Sequence, residues 1–368
     1  DRVDLIDQEA EFRDHAPQEY WDTFGAMTSD LDEEHHSTTW IGDRACAEID
    51  NWKSGGNLLM VGFIKPHHPF DPPAPWSAMY DPASLSLLPG WTETLHHGDE
   101  GKGYFNFGSL TEESLRRVMA MYYACISQID HHVGRMVNAL KQLGLYEDTI
   151  IVYTSDHGEY MGSHHRLLKN HNMIDPLVRV PLIIKGLGSG GPRGRDSRLV
   201  NNIDVAPSLL SAADLPLPAT MIGLDLNDSG RTSEYVFAED HKGQYMVRST
   251  RDKLLLSSPE KHSMYFDLTT DPLELTNLYC DETYRGRINE LIKALLDWRL
   301  FRARPPCHLH REAATCRSEN VSGAPGPTYE YFKRRMETAM STSASGQPPE
   351  QVDTYRPGSI STISCVPQ

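Results

Sequence analysis

The tripeptide Asp156-His157-Gly158, which follows an apolar β-branched run, is the strongest candidate for chemistry in this sequence. A carboxylate beside an imidazole offers ligands for a divalent cation such as Ca²⁺, Mg²⁺ or Mn²⁺, and the glycine lets the backbone turn sharply. The same residues also suit an ordinary turn after a strand, because Asp and Gly are common turn residues. The tripeptide therefore predicts a metal site only in combination with its surroundings.

The loop after this tripeptide adds further polar groups before the next apolar run, namely Glu159, His164, His165 and Lys169. A connection of this length is more often functional or disordered than a plain link between two elements. A lysine beside a cation would place positive charge on the non-bridging oxygens of a bound ester. The loop as a whole predicts a pocket for a tetrahedral anionic ester.

A second candidate loop, with the sequence GFIKPHHPF, follows another apolar run. Lys65 and His67 flank a proline that restricts the backbone, so both side chains could point rigidly at one place. An imidazole near neutral pH is a competent general acid for a leaving alcohol. The alternative interpretation is a solvated charged loop, the usual fate of such a tripeptide in isolation.

The elements that must position these loops follow from hydrophobic periodicity. Apolar runs predict buried strands at 57–64, 149–154 and 181–185. A capping sequence from Ser109 to Glu112, apolar steps of three and four and a terminating Gly144 predict one long helix, and Ser37 is the predicted N-cap of a shorter one. Strand, long helix and strand in this order predict a parallel βαβ sheet flanked by helices.

Composition bounds the classes of protein that fit. The 368 residues carry a formal net charge of -16, which argues against a nucleic-acid or anionic-membrane binder. No apolar run approaches the ~20 residues that a membrane helix needs. We predict a catalytic domain over 1–225, a small α+β subdomain over 226–300 and an extended tail over 301–368. The compartment is left open, and a homo-oligomer is an open alternative to a monomer.

Four segments together resemble the type I sulfatases of the alkaline-phosphatase superfamily: GFIKPHHPFDPPAPW, YYACISQIDHHVGRMVNAL, TIIVYTSDHGEYMGSHHRLLKNHNMIDPLVRVPLIIKG and YFDLTTDPLELTNLY. The branch resembled contains iduronate sulfatase, choline-sulfatase-like enzymes and phosphonate monoester hydrolases. This resemblance implies an α/β fold, with a mostly parallel central sheet sandwiched by helices and a small C-terminal antiparallel sheet plus helix.

The resemblance also implies roles for individual residues. Asp156 and His157 would bind one divalent metal ion, expected to be Ca²⁺ with Mn²⁺ or Mg²⁺ as alternatives. Lys169 would bind the sulfate oxygens and His67 would lie on the leaving-group side. Lys65 would either reach the substrate or stay structural.

His164 would contact the substrate or support a residue that does. A further set of family-typical residues is expected to be structural: Asp130, Asp204, Asp271, Glu274 and Asn277.

The nucleophile of such enzymes is a formylglycine made from cysteine in a C-x-P-S-R motif, and an Asp-Asp pair completes the metal site. The 368 residues contain neither motif. We therefore expect an N-terminal partner segment to supply both, and the uncovered sheet to make this chain poorly soluble on its own. The predicted function is hydrolysis of small anionic sulfate monoesters. The alternatives are a phosphonate monoester or phosphodiester hydrolase, and a catalytically inactive homologue that acts as a binding protein.

Overall fold

The computed structural model describes most of the chain up to residue 303, together with the backbone of one short strand near the end. The described residues are 16–53, 55–93, 105–169, 172–187, 194–218, 221–228, 230, 232–240, 243–258, 262–303 and 360–363. Most of the predicted tail, 301–368, lies outside the described residues. The predicted boundary at residue 225 stays a prediction.

The described chain forms six α-helices and eight strands. The helices are α1 (Gln18–Asp22), α2 (Ser37–Asp50), α3 (Glu112–Gln142), α4 (Asp175–Val178), α5 (Val205–Ala212) and α6 (Arg285–Asp297). The strands are β1 (Leu58–Val61), β2 (Ile151–Thr154), β3 (Leu182–Lys185), β4 (Val236–Glu239), β5 (Gln244–Arg248), β6 (Asp252–Ser257), β7 (Met264–Asp267) and β8 (Ile360–Ile363). None of the helices in this described part is long and apolar enough to cross a membrane.

Helix α3 is the long helix predicted from periodicity, but it begins slightly later than expected. Its N-cap is Thr111, whose hydroxyl accepts from the amide of Ser114 in a reciprocal capping box, so the predicted start at Ser109 was wrong. Gly144 ends the helix as predicted, with a φ of 70° that favours glycine. Helix α2 likewise uses His36 as its N-cap and begins at Ser37.

The strands nearest the candidate loops correct two expectations. Strands β2 and β3 pair antiparallel, with Ile151 opposite Lys185, so they are not the parallel βαβ pair that their order predicted. Strand β1 is hydrogen-bonded to β8. Strand β1 is also less buried than predicted. Its side chains Leu58 and Met60 are 60% and 63% exposed. The architecture is α/β, with helices beside the short strands and a separate antiparallel sheet toward the C-terminus.

The C-terminal sheet has the strand order β4-β5-β6-β7, and each neighbouring pair is antiparallel. Because side chains alternate between faces, Val247 and Leu254 pack against α6 while Met246 and Leu255 face the other way. That second face packs on the segment around α4, in a cluster that joins Tyr160, Met173, Ile174, Leu177, Met246, Leu255, Met264 and Phe266. The sheet therefore supports the loop that follows β2.

Candidate functional site

Asp156 and His157 lie at the carboxyl end of β2 and converge on one point in solvent. The carboxylate of Asp156 is 82% exposed, and its Oδ2 lies 3.5 Å from Nε2 of His157. Its Oδ1 accepts a hydrogen bond from the backbone N–H of His157 at 2.9 Å. One carboxylate oxygen is thus used to orient the turn while the other points outward beside the imidazole.

Lys169 joins this pair from the far end of the loop. Its Nζ lies 2.9 Å from Nε2 of His157, and Nδ1 of the same ring lies 2.8 Å from the carbonyl oxygen of Gly158. An ammonium only donates and a carbonyl only accepts, so the ring carries its proton on Nδ1 and directs a lone pair from Nε2. That tautomer, with Nδ1–H on a backbone carbonyl, is the one that metal-binding histidines use.

Gly158 allows the loop to pass very close to α4. Its N–H donates to the carbonyl oxygen of Leu177 at 2.7 Å. A Cβ at this position would lie 2.0 Å from the carbonyl oxygen of Pro176, which is far inside contact distance. Glycine in the tripeptide therefore serves a close backbone approach, and a turn alone would not require it.

Glu159 binds the backbone of the loop from within, a role that its residue type alone did not predict. Its Oε1 accepts from the amide of Met161 at 3.3 Å and from the amide of Leu168. Burial raises the pKa of Glu159 to about 7, although these amides and Lys169 act in the opposite direction. The carboxylate fixes the chain directly before Lys169.

His164 is buried, with 3% of its surface exposed. Its Nε2 donates to the carbonyl oxygen of Glu274 at 2.9 Å, and its Nδ1 lies 2.8 Å from the hydroxyl of Ser163. The structure therefore places His164 against the turn after β7 that carries Glu274. Its neighbour His165 lies between the carbonyl oxygens of Thr92 and Phe107, at 2.7 and 3.0 Å.

The second candidate loop separates the two residues that the sequence grouped together. Lys65 is buried, and its Nζ donates to the carbonyl oxygen of Pro69 at 2.7 Å and to the carboxylate of Asp71. His67 is half-buried, and its Nδ1 donates to the carbonyl oxygen of His68 at 2.7 Å. Lys65 thus holds the shape of the loop, and His67 is bound to the loop backbone through Nδ1.

Two of the residues expected to be structural, Asp204 and Asn277, accept hydrogen bonds from backbone amides. Asp204, buried before α5, accepts from the amides of Asn201 and Leu224, both at 2.7 Å. Asn277 accepts from the amide of Tyr265 at 3.1 Å and so ties the turn after β7 to that strand.

The donor set at the end of β2 fits part of a divalent metal site. A carboxylate oxygen and an imidazole lone pair are suitable ligands, but hard cations take six or more. Within the described ranges, no third His, Cys, Asp or Glu side chain completes a metal-binding group. Asp156 and His157 would hold such an ion only together with further ligands.

Comparison with known proteins agrees with this fold. The sulfatase family model matches residues 7–215, and the model of the C-terminal region of N-sulphoglucosamine sulphohydrolase matches residues 162–300. The chain is 31% identical over 280 residues to an arylsulfatase of Clostridium perfringens, which covers 72% of this chain and 58% of the relative. It is 26% identical over 321 residues to the multifunctional alkaline phosphatase superfamily protein PehA of Trinickia caryophylli, covering 75% and 62% of the two chains.

Among solved structures, the phosphonate monoester hydrolase of Silicibacter pomeroyi superposes with a TM-score of 0.66 at 21% identity, covering 80% of this chain and 68% of that one. The fold is therefore alkaline-phosphatase-like. With its family match over more than half its length, the chain belongs to the sulfatase family. It spans about three fifths of the length of the two curated relatives described above.

Proposed function

We propose that the protein hydrolyses sulfate monoesters of small alcohols, with the loop after β2 as its active site. The observation that carries this proposal is the convergence of Lys169 and His157 at 2.9 Å and of His157 and Asp156 at 3.5 Å. This group lies inside the region that matches the sulfatase family. A point positive charge beside metal-binding donors suits the non-bridging oxygens of a tetrahedral anionic ester.

Each residue then has a distinct task. Lys169 binds the non-bridging oxygens of the ester. Its positive charge stabilises the negative charge that develops during cleavage. His67 lies on the leaving-group side, with its Nδ1–H donating to the His68 carbonyl. In its doubly protonated form the ring would give the Nε2 proton to the departing alcohol and return to the neutral Nδ1–H tautomer. Lys65 positions that loop through Asp71.

Asp156 and His157 would hold a divalent cation, which we expect to be Ca²⁺, with Mn²⁺ or Mg²⁺ as alternatives. When bound, the cation polarises the ester oxygens. The exposed Oδ2 of Asp156 and the Nε2 lone pair of His157 are compatible with that role. The nucleophile, a formylglycine, and the remaining carboxylate ligands would come from a segment upstream of residue 1, in keeping with the greater length of the curated relatives.

Phosphonate monoester hydrolysis is the second candidate, because sulfate and phosphonate esters share tetrahedral geometry. It is favoured by the likeness to a multifunctional superfamily protein and to the fold of a phosphonate monoester hydrolase. Purified natural protein should first be examined by peptide mapping for a cysteine converted to formylglycine. Initial rates on matched aryl sulfate and aryl phosphonate esters would then separate the two candidates.

A higher kcat/KM for the sulfate ester supports the proposed function, and a higher value for the phosphonate ester supports the second candidate. Absence of formylglycine together with absence of turnover on both esters would instead favour a catalytically inactive binding protein.

A further inference from the structure

A buried network of four charges connects the C-terminal sheet to the segment after the active-site loop. Lys253 of β6 is fully buried, and its Nζ lies 2.5 Å from Oδ1 of Asp175 and 2.5 Å from Oε1 of Glu274. The second contact is an ion pair and not a hydrogen bond, because Oε1 of Glu274 accepts no hydrogen bond. Arg248 of β5 binds both oxygens of Asp175 at 3.2 Å, so two cations face two anions.

The surroundings of this network make its pairing necessary. Lys253 shares its sheet face with Leu255 and Met246, which pack on Ile174 and Leu177 of the α4 segment. The side chains of Lys253 and Glu274 are fully buried, and removing one partner of a buried ion pair leaves an uncompensated charge that destabilises the fold. The network therefore holds the α4 segment in place on the sheet.

Glu274 connects this network to residues on both sides of Lys169 in the sequence. Its Oε2 accepts from the amide of Asp175 at 2.6 Å, while its carbonyl oxygen accepts from Nε2 of His164 at 2.9 Å. Glu274 has a φ of 60°, a left-handed conformation that a non-glycine residue adopts at a cost. With this backbone conformation, one residue reaches the loop through its side chain and through its carbonyl group at once.

We propose that Glu274 is a positioning residue for Lys169, and that Lys253 acts through Glu274. The flexible side chain of Lys169 can meet His157 only if its backbone is held in place. Glu159 holds that backbone from inside the loop at Leu168. Glu274, in the turn after β7, holds the chain at His164 and at Asp175, which lie on either side of Lys169 in the sequence. The inference uses the role proposed for Lys169 but depends on contacts that can be tested without turnover.

The test is hydrogen–deuterium exchange of the natural full-length protein, compared with its Glu274→Gln variant. The amide keeps the shape of the side chain but carries no negative charge to balance the ammonium of Lys253. We expect faster exchange in peptides that cover 160–169, and a kcat/KM for aryl sulfate that falls about tenfold to a hundredfold. The loss should appear in kcat as well as in KM, because Lys169 is proposed both to bind the ester and to stabilise the charge that develops during cleavage.

Asp252→Asn is the matched control. Asp252 is buried in the same strand and pairs with Arg287 of α6 at 2.6 Å, but its described bonds stay within the C-terminal sheet and α6. This variant should loosen α6 and leave the exchange of 160–169 unchanged. If Glu274→Gln does not fold, His164→Phe removes the donor to the Glu274 carbonyl without removing a charge, and it should show the same local loosening.

The inference would be overturned if peptides covering 160–169 exchanged at the same rate in wild type, Glu274→Gln and His164→Phe. It would also be overturned if the Asp252→Asn control raised the exchange of these peptides as much as Glu274→Gln does. An inactive wild-type protein would refute the proposed function instead. In that case the exchange pattern would still decide whether Glu274 holds the loop.

Discussion

At the scale of single residues, one nitrogen atom contacts Lys169 and is also the ring atom of His157 that would bind a cation. Nε2 of His157 directs its lone pair at the ammonium of Lys169, at 2.9 Å. An imidazole lone pair serves one partner at a time. If His157 held a divalent cation through Nε2, Lys169 would not be bound at that atom, and its ammonium would be available to the ester oxygens. The Nδ1–H bond to the Gly158 carbonyl keeps the ring oriented in either arrangement.

Replacing the exposed carboxylate should therefore remove the metal. We expect Asp156→Asn in the natural full-length protein to lower the bound divalent metal to less than about a tenth of the wild-type content, because the amide lacks the charge that attracts a hard cation. Elemental analysis of dialysed protein measures this directly. Asp130→Asn, an exposed position on α3, is the control and should keep its metal. Equal metal in both variants would contradict the assignment of Asp156.

Two buried histidines, one at the start of α2 and one within α3, make stability depend on pH. Burial lowers the pKa of His36 to about 4 and that of His132 to about 4, from an ordinary 6.5, with Lys65 and Arg135 as the respective next causes. The unfolded chain binds protons below pH 6.5, whereas the folded chain binds them at these sites only near pH 4. The free energy of unfolding should therefore fall as the pH decreases between these values.

Urea unfolding at pH 7 and pH 4.5 measures this loss, which we expect to reach on the order of 1–3 kcal/mol per histidine. In His36→Gln and His132→Gln the difference between the two pH values should shrink. The exposed neighbour His131→Gln is the control and should keep the wild-type difference. An unchanged difference in both buried-site variants would refute this account.

At the scale of elements, close backbone contacts decide where side chains fit. Helix α2 passes α3 so closely that a Cβ on Gly42 would lie 2.3 Å from Nδ1 of His132, and Gly158 approaches α4 in the same manner. Gly134, also on α3, has open space around it. A side chain would therefore clash at Gly42 and Gly158 but not at Gly134, a difference that the sequence does not reveal.

Alanine substitution at two of these glycines should have opposite effects. Gly158→Ala forces the loop away from α4 and should lower the free energy of unfolding by about 1–3 kcal/mol. Gly134→Ala removes glycine from an uncrowded helix position and should raise it by about 0.5–1 kcal/mol. Thermal or urea unfolding measures both, and a shift in the same direction for the two variants would contradict the close approach at Gly158.

The extent of sequence-based prediction also differs by element. Periodicity predicted α3 and its end at Gly144, because burial of one helix face repeats in the sequence. It could not give the antiparallel pairing of β2 and β3, since a short apolar run has no direction. The tripeptide at Asp156 was identifiable from its chemistry. Lys253 was not, because burying a lysine depends on which strand face meets which loop.

At the scale of the whole molecule, apolar side chains on the strands near the site remain exposed. Ile183 of β3 is 65% exposed, and Leu58 and Met60 of β1 are similarly open. These strands belong to two separate two-stranded sheets, β1-β8 and β2-β3, and exposed apolar surfaces of this kind attract other apolar surfaces. The N-terminal partner segment expected from the sequence would cover part of these surfaces in the natural protein.

The 368-residue chain expressed alone should then bind a hydrophobic dye such as ANS and associate in solution. The natural full-length protein should bind less dye and associate less. Light scattering and dye fluorescence at matched concentrations compare the two. The double variant Leu58→Thr/Met60→Thr should reduce both signals in the isolated chain, because threonine retains strand propensity while removing apolar surface. Equal dye binding by the isolated chain and the full-length protein would contradict the covering role.

The most direct test of the active-site assignment is the kcat/KM of the natural full-length protein for an aryl sulfate, measured for Lys169→Ala and for Lys293→Ala. Lys293 is an exposed lysine on α6 and serves as the control. Loss of a preorganised charge at the ester oxygens predicts a decrease of about 100- to 1000-fold for Lys169→Ala. The control should keep wild-type turnover. Equal turnover in the two variants would show that the loop after β2 is not the site of sulfate ester hydrolysis.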